Sequence, residues 1–353
     1  MSQAPRSVLI VGAGRIAGLN ELDPVRRKPC THAGMVLAND ELALAGVVDV
    51  DKRAADQFAA HFAIGFAGTD LADALARVRP DVVTVAVPYH LQFDVVLSIC
   101  EARHRPRTVL LEKPLADTFE RARAMIQRCE DANVKVLVNN ECAAPIYERI
   151  KQLIRERYNN DVISVTAWCS SGMHAVGVHM IGVMLTLFGR VRWVHAVLER
   201  EYVASLPFST NFVPDDPRVQ GLLVFESGLV GFLMNSALTS YTYKELEVTC
   251  RAGKLRLSDN GAVLRLWSTA IPGESTLSHR LSDPIEDEGV PGTAFDVMGN
   301  WLATGGDAGQ HVIGAERALE TYQVLDALVQ SGRESRPVHL RRVRPGLETE
   351  SEN

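Results

Sequence analysis

With 353 residues, 46% of them hydrophobic, and a formal net charge of −6 spread over both signs, the chain predicts about two domains and no basic footprint for nucleic acid or an anionic membrane. Six scattered cysteines (Cys30, Cys100, Cys129, Cys142, Cys169, Cys250) with no Cys-x-x-Cys pair argue against a disulfide framework and against a zinc site. No apolar run approaches the roughly 20 residues of a membrane span and residues 1–7 lack signal-peptide features, so a cytoplasmic protein is expected.

Residues 7–11 read as an apolar strand that runs into Gly12-Ala13-Gly14-Arg15-Ile16-Ala17-Gly18. The first glycine permits a tight turn and the second lets backbone approach a pyrophosphate. The helix N-terminus that follows, with Arg15 and Ile16, offers N–H groups to that anion, and Ala17 stands where the pattern has its third glycine. The next strand, 42–48, ends in Asp49. A carboxylate there can bond a ribose 2′-hydroxyl and repels a 2′-phosphate, which favours NAD; Lys52 and Arg53 lie near enough to keep NADP open. Gly12 and Asp49 stand further apart than the usual spacing of about 20 residues. The excess falls in residues 20–30, a loop inserted into or after the first helix, with Arg26-Arg27-Lys28 between Pro24 and Pro29.

Alternation continues with helices at 53–61 and 71–77 and an apolar strand at 82–87, followed by Pro88-Tyr89-His90. His90 is placed either against a cofactor or as a helix cap. The strand 108–111 then ends in Glu112-Lys113-Pro114, and because Pro114 cannot extend a sheet the chain must leave it at Lys113. In an open α/β sheet ligands bind beyond the carboxyl ends of the strands, which makes Glu112 and Lys113 site candidates. The bland alternative is a strand-end lysine paired with Glu112. Asp117 and Glu120 have capping-box spacing before a helix whose apolar face is Ala122, Met125, Ile126 and Cys129, and 135–139 is another strand. Residues 1–139 therefore predict a doubly wound parallel α/β domain.

From residue 140 the pattern changes to a helix at 144–157, a strand at 163–168, an apolar helix at 179–188, and then hairpins. The strands 222–225 and 229–234 join across Glu226-Ser227-Gly228, the strands 246–251 and 254–257 at Ala252-Gly253, and Asn260-Gly261 marks a further turn. Helices at 293–303 and 315–329 close a second α+β domain, 140–353, built on a mostly antiparallel open sheet; the tail after Arg342 is expected to fray.

The glycine motif, Asp49 and Leu111-Glu112-Lys113-Pro114-Leu115-Ala116, followed by a mostly antiparallel half, resemble the glucose-fructose oxidoreductase, inositol dehydrogenase and MocA (Gfo/Idh/MocA) family of Rossmann oxidoreductases. Asn140 and Pro145 match its Asn-x-x-Phe-x-Pro segment, with Ala143 in place of the phenylalanine. Gly177-Val178-His179 and Leu187-Phe188-Gly189 match the region that carries its active-site histidine. The resemblance implies hydride transfer between nicotinamide and a carbon bearing a hydroxyl or keto group on a sugar, cyclitol, sugar nucleotide or aminoglycoside-like pseudosugar. Lys113 would donate to the reacting oxygen and His179 would be the acid or base. It further implies a carbohydrate-like small-molecule partner and association as a homodimer or homotetramer; no metal is expected, because His174 and His179 lack the i, i+4 spacing of a helical metal pair and no carboxylate motif accompanies them.

One departure stands out: the aspartate that relatives carry four residues before this histidine is Ala175 here, and His174 is the neighbour that could contribute instead. Competing readings are a reductase of a conjugated non-sugar substrate and a non-catalytic nicotinamide-binding sensor or scaffold. The 20–30 loop reads either as a solvated surface loop or as a lid over cofactor or an anionic substrate group. If it is a lid, excising it raises the Michaelis constants; steady-state kinetics unchanged by the deletion would rule the lid out.

Overall fold

Strands that are apolar on both faces need cover on both faces, and the first half of the chain supplies it by alternating strand with helix. In the structure, a computed structural model that describes residues 4–199, 216–236, 241, 243–269, 281–307 and 309–342, these elements are β1 (Arg6–Val11), α1 (His32–Leu37), β2 (Leu42–Val48), α2 (Lys52–His61), β3 (Ala67–Gly68), α3 (Leu71–Val78), β4 (Val82–Val85), α4 (Tyr89–Glu101), β5 (Thr108–Leu111), α5 (Phe119–Asp131) and β6 (Lys135–Val138). The second half contains α6 (Pro145–Tyr158), β7 (Val162–Ser170), α7 (Val178–Phe188), β8 (Val191–Leu198), β9 (Val219–Phe225), β10 (Val230–Ser236), β11 (Lys244–Cys250), β12 (Gly253–Ser258), β13 (Val263–Ser268), β14 (Ile285–Asp287), α8 (Ala294–Ala303), α9 (Gln310–Ile313), α10 (Ala315–Glu334) and β15 (Val338–His339).

The chain divides into two compact units. The first holds the residues up to Ala144 together with Gly292–Leu319, so the chain returns to it with α8, α9 and the first turn of α10. The second holds Pro145–Pro291 and Glu320–Arg342. The proposed frayed tail beyond Arg342 lies outside the described residues.

The first unit is a six-stranded parallel sheet in the order β3-β2-β1-β4-β5-β6. Strand order reverses between β1 and β4, and that is where a doubly wound sheet opens a crevice at its carboxyl ends. Its core is dense: Val8, Leu9, Ile10, Val109, Leu110 and Leu111 are fully buried.

After β1 the chain departs from a simple strand–turn–helix. Residues 14–18 make a single helical turn, a 3-10 turn follows at Leu19–Leu22, and α1 starts at His32. The carbonyls of Ile16 and Ala17, which in an unbroken helix accept from residues four further on, accept instead from His32 (3.1 Å) and Ala33 (2.8 Å). The insertion therefore lies inside the first helix, which resumes where it left off. Glu21 closes the base of the excursion, accepting from the Cys30 N–H (3.0 Å) and the Thr31 hydroxyl (2.8 Å), while Thr31 caps α1 through the Gly34 N–H (3.0 Å). The Thr293 hydroxyl of the α8 cap donates to the Pro29 carbonyl (2.8 Å), and Arg26, Arg27 and Lys28 stay exposed.

Local chemistry settles two caps differently from the sequence reading. The α5 N-cap is Thr118, accepting from the Arg121 N–H, because Asp117 instead pairs with the Arg121 side chain at 2.8 Å; no Asp117–Glu120 capping box forms. Pro88 occupies the α4 N-cap position with no side-chain cap, so His90, exposed in the first turn, is not a cap.

The second unit is a nine-stranded sheet in the order β14-β13-β12-β11-β7-β10-β9-β8-β15. Its neighbours run antiparallel except β7 and β10, which pair in parallel. The β9–β10 hairpin turns where the sequence reading placed it, whereas the β11–β12 turn falls one residue earlier, at Arg251-Ala252, because Gly253 already pairs with Cys250 as the first residue of β12. Apolar α7 lies among buried side chains, with Met180, Ile181, Val183, Met184 and Leu185 at or below 1% exposure.

Gly18, rather than the Ala17 position, is the close-packing glycine of the motif: a Cβ there would lie 2.5 Å from the Phe62 ring and 2.6 Å from the Phe58 ring. Gly18→Ala is expected to lower unfolding stability by about 1–3 kcal/mol through overpacking, read as a shift in the urea midpoint at unchanged slope.

Candidate functional site

Gly12 follows β1 with φ of +102°, a conformation that L side chains rarely adopt, and a Cβ on it would sit 2.6 Å from the Ala86 carbonyl oxygen just past β4. The turn thus runs across the switch point of the sheet. Around Gly14 there is open space, with nothing within 4 Å of a Cβ built there. Among the described residues the N–H groups of Gly14, Arg15 and Ile16 donate to no protein acceptor, and Gly14 and Arg15 are exposed. Unpaired N–H groups around a side-chain-free position fit the pyrophosphate of a dinucleotide. Asp49 ends β2 beside this turn: one carboxylate oxygen accepts from the Ala13 N–H (2.7 Å), the other from the Asp51 N–H (2.9 Å). Asp49 therefore shapes the glycine turn as well as presenting charge near it. Lys52 is ion-paired with Asp56.

At the end of β5, Glu112 turns inward and is 7% exposed. Its Oε1 meets Nε2 of the fully buried His32 at 2.8 Å and accepts from the Asn139 amide at 2.7 Å. Among the described residues the His32 Nδ1 has no hydrogen-bond partner, which fits a ring whose Nε2–H donates to the carboxylate. The Phe295 ring meets His32 edge-on at 5.7 Å. From α4, the buried Gln92 amide donates to the carbonyls of Glu112 (2.9 Å) and Pro114 (2.8 Å). Lys113, between those two carbonyls and half-buried, therefore stands on a turn fixed from both sides. Sequence reading singled out Glu112 and Lys113. It passed over His32 and Gln92, whose partners are 80 and 20 residues away.

In the second unit a π-helical turn, Met173–Gly177, leads directly into α7, so His174 and His179 share one helical segment. No acid lies at Ala175. A carboxylate reaches the segment from elsewhere: Asp216, just before β9, places Oδ1 2.9 Å from His174 Nδ1 and 2.8 Å from the His174 N–H, and Oδ2 2.9 Å from the Ala175 N–H. Among the described residues no cluster of three or more His, Cys, Asp or Glu could hold a metal ion.

Two family models match the chain: the oxidoreductase family with NAD-binding Rossmann fold over residues 6–140, and the GFO/IDH/MocA C-terminal domain over residues 149–256. The chain belongs to the Gfo/Idh/MocA family. Its first unit is that family's NAD-binding Rossmann domain, and the residues of the glycine turn fit the cofactor. Among curated relatives, D-glucoside 3-dehydrogenase of Escherichia coli (strain K12) is 31% identical over 168 residues, 46% of this chain and 42% of that one, so the chain spans under half of that relative's length. An NAD-binding oxidoreductase from Klebsiella pneumoniae has the same fold, with TM-score 0.76 and 21% identity over 97% of this chain and 100% of that one. So does levoglucosan dehydrogenase, solved with NADH and L-sorbose, with TM-score 0.74 and 17% identity over 97% and 100%. Gfo/Idh/MocA membership accounts for both sheets of the fold, and no described helix is long and apolar enough to cross a membrane.

His32→Ala removes a partner from a buried carboxylate and is expected to cost about 1–3 kcal/mol in urea unfolding. His32→Gln, which can reach the same oxygen, should recover part of that loss.

Proposed function

We propose that this protein is an NAD-dependent dehydrogenase that moves a hydride between nicotinamide and a secondary alcohol or ketone of a carbohydrate-like molecule: a sugar, cyclitol, sugar nucleotide or aminoglycoside-like pseudosugar. The observation that carries this reading is the pinned turn at Lys113, at the carboxyl end of a strand in the sheet whose β1 and β4 ends form the cofactor turn. The E. coli relative and levoglucosan dehydrogenase, both named for oxidation of sugar-type molecules, support the substrate class.

Gly12, Gly14, Arg15, Ile16, Asp49, Pro88 and His90 would hold the cofactor from its own side of the sheet, with Glu112 and Lys113 at the neighbouring strand end. NAD is preferred to NADP because Asp49 places a carboxylate beside the turn and Lys52 is engaged by Asp56. When bound, NAD supplies the hydride acceptor. Lys113 donates a charged hydrogen bond to the substrate oxygen, which stabilises the negative charge that grows there as its proton leaves. An imidazole of the Met173–Phe188 segment, His174 or His179, takes that proton in oxidation and returns it in reduction. The sensor reading rested on the absence of a carboxylate at Ala175; Asp216 weakens it by supplying one.

A panel of sugars, cyclitols, sugar nucleotides and aminoglycoside-like pseudosugars, followed by absorbance of reduced nicotinamide, tests the reading. Turnover is expected with at least one class, and Lys113→Ala is expected to lower kcat by about 100-fold or more with cofactor affinity little changed. Turnover by Lys113→Ala near the wild-type rate would overturn the role of Lys113; tight cofactor binding with no turnover across the panel would overturn the dehydrogenase.

A further inference from the structure

We infer that His174, held by Asp216, is the proton acceptor of this enzyme, and that this pair stands in place of the carboxylate–histidine pair lost at Ala175. The inference rests on the dehydrogenase reading above. It starts from a buried charge-bearing group whose position is fully accounted for. The Asp216 side chain is 3% exposed and the His174 side chain 23%, so the carboxylate is shielded while the histidine side chain is partly exposed.

The carboxylate is held in place by several contacts. It accepts from two successive backbone N–H groups, those of His174 and Ala175, and the Met173 N–H donates to the Pro217 carbonyl at 2.8 Å, which ties the residue after Asp216 to the residue before His174. Gly172 leaves the room: a Cβ there would lie 2.0 Å from the carboxylate carbon. The Tyr322 ring lies 6.3 Å from the imidazole, tilted by 56°.

A bland account makes Asp216 a cap for an irregular turn. Two N–H bonds would satisfy a cap, and the third contact, to the ring Nδ1, does something more. With Nδ1–H donated to Asp216, Nε2 carries the acceptor lone pair, and the carboxylate lies where positive charge develops when Nε2 takes a proton. In oxidation the substrate hydroxyl proton goes to Nε2 as the carbon gives up its hydride, which NAD, when bound, would accept. The C=O bond forms from the O–H pair, and the proton then leaves the imidazolium for water. Asp216 gains no proton and acts as a positioning residue.

The full-length protein with NAD present tests this with Asp216→Asn, His174→Gln and His179→Gln. Asparagine is isosteric but keeps a single acceptor oxygen for the two backbone N–H groups, which bond to different carboxylate oxygens, so the thermal midpoint should fall by only a few degrees while the ring loses its carboxylate. Expected are a fall in kcat of about 100-fold or more for Asp216→Asn and for His174→Gln, with KM changed by less than about threefold, and partial recovery in Asp216→Glu. Retention of kcat in either of the first two, with collapse in His179→Gln, overturns the assignment. Nitrogen-15 NMR of the substrate-free protein gives an independent decision: an Nδ1–H tautomer at His174 that is lost in Asp216→Asn supports the pair, and an Nε2–H tautomer overturns it. The two readings fail separately, since a panel without turnover removes the dehydrogenase, whereas turnover that survives His174→Gln removes only the pair.

Discussion

A carboxylate taken out of water has to be met by hydrogen bonds, and in the first unit that carboxylate is Glu112. His32 and Asn139 meet it from one side, and Gln92 grips the backbone on either side of Lys113. An amine that must meet a reacting oxygen gains little from a flexible support, because misplacement by about an ångström already costs rate. The buried network under the Glu112-Lys113-Pro114 turn supplies rigidity where a strand end alone would be loose. It also joins α1, α4, β5 and the residue after β6 through one short stretch of backbone.

The same economy governs the glycine turn. Gly12 is needed because of its φ and because the Ala86 carbonyl leaves no space, and Gly18 because two phenylalanine rings fill the volume a side chain would take. Gly14 differs from both: nothing crowds it, so its bareness is directed outward, toward a ligand. Asp49 links the turn to β2 by accepting from Ala13. The base of the excursion is held by the Glu21 carboxylate, which accepts from the Cys30 N–H and the Thr31 hydroxyl; burial first and then that carboxylate push the Cys30 thiol up to about 11.

Much of the architecture was legible because it is written locally. Apolar runs with period-two or continuous patterning marked β1, β2, β4, β5 and β6, and the hairpin glycines marked β9 to β12. What stayed hidden depends on partners far along the chain. The parallel pairing of β7 with β10 is set by which strands meet in the sheet, which no local pattern encodes. The Thr118 cap won over Asp117 because Arg121 engaged the aspartate side chain. His32 carries no local signal, because its partner Glu112 lies 80 residues on. Asp216 lies 42 residues from His174, so a missing aspartate at Ala175 could be read from sequence but its replacement could not. The signal that could have pointed to it was the small residue Gly172 before a histidine that lacks a nearby acid.

The splice in the first helix has a further consequence for how this chain can vary. Because Ile16 and Ala17 hand their hydrogen bonds to His32 and Ala33, helix phase is restored on the far side of the excursion whatever its length. Residues 20–30 are thus a side branch whose size is uncoupled from the sheet. The few residues after the junction have no such freedom: one inserted there would turn the following face by about 100° and swing it away from the core. Tolerance and intolerance to insertion meet at a single peptide, just before His32.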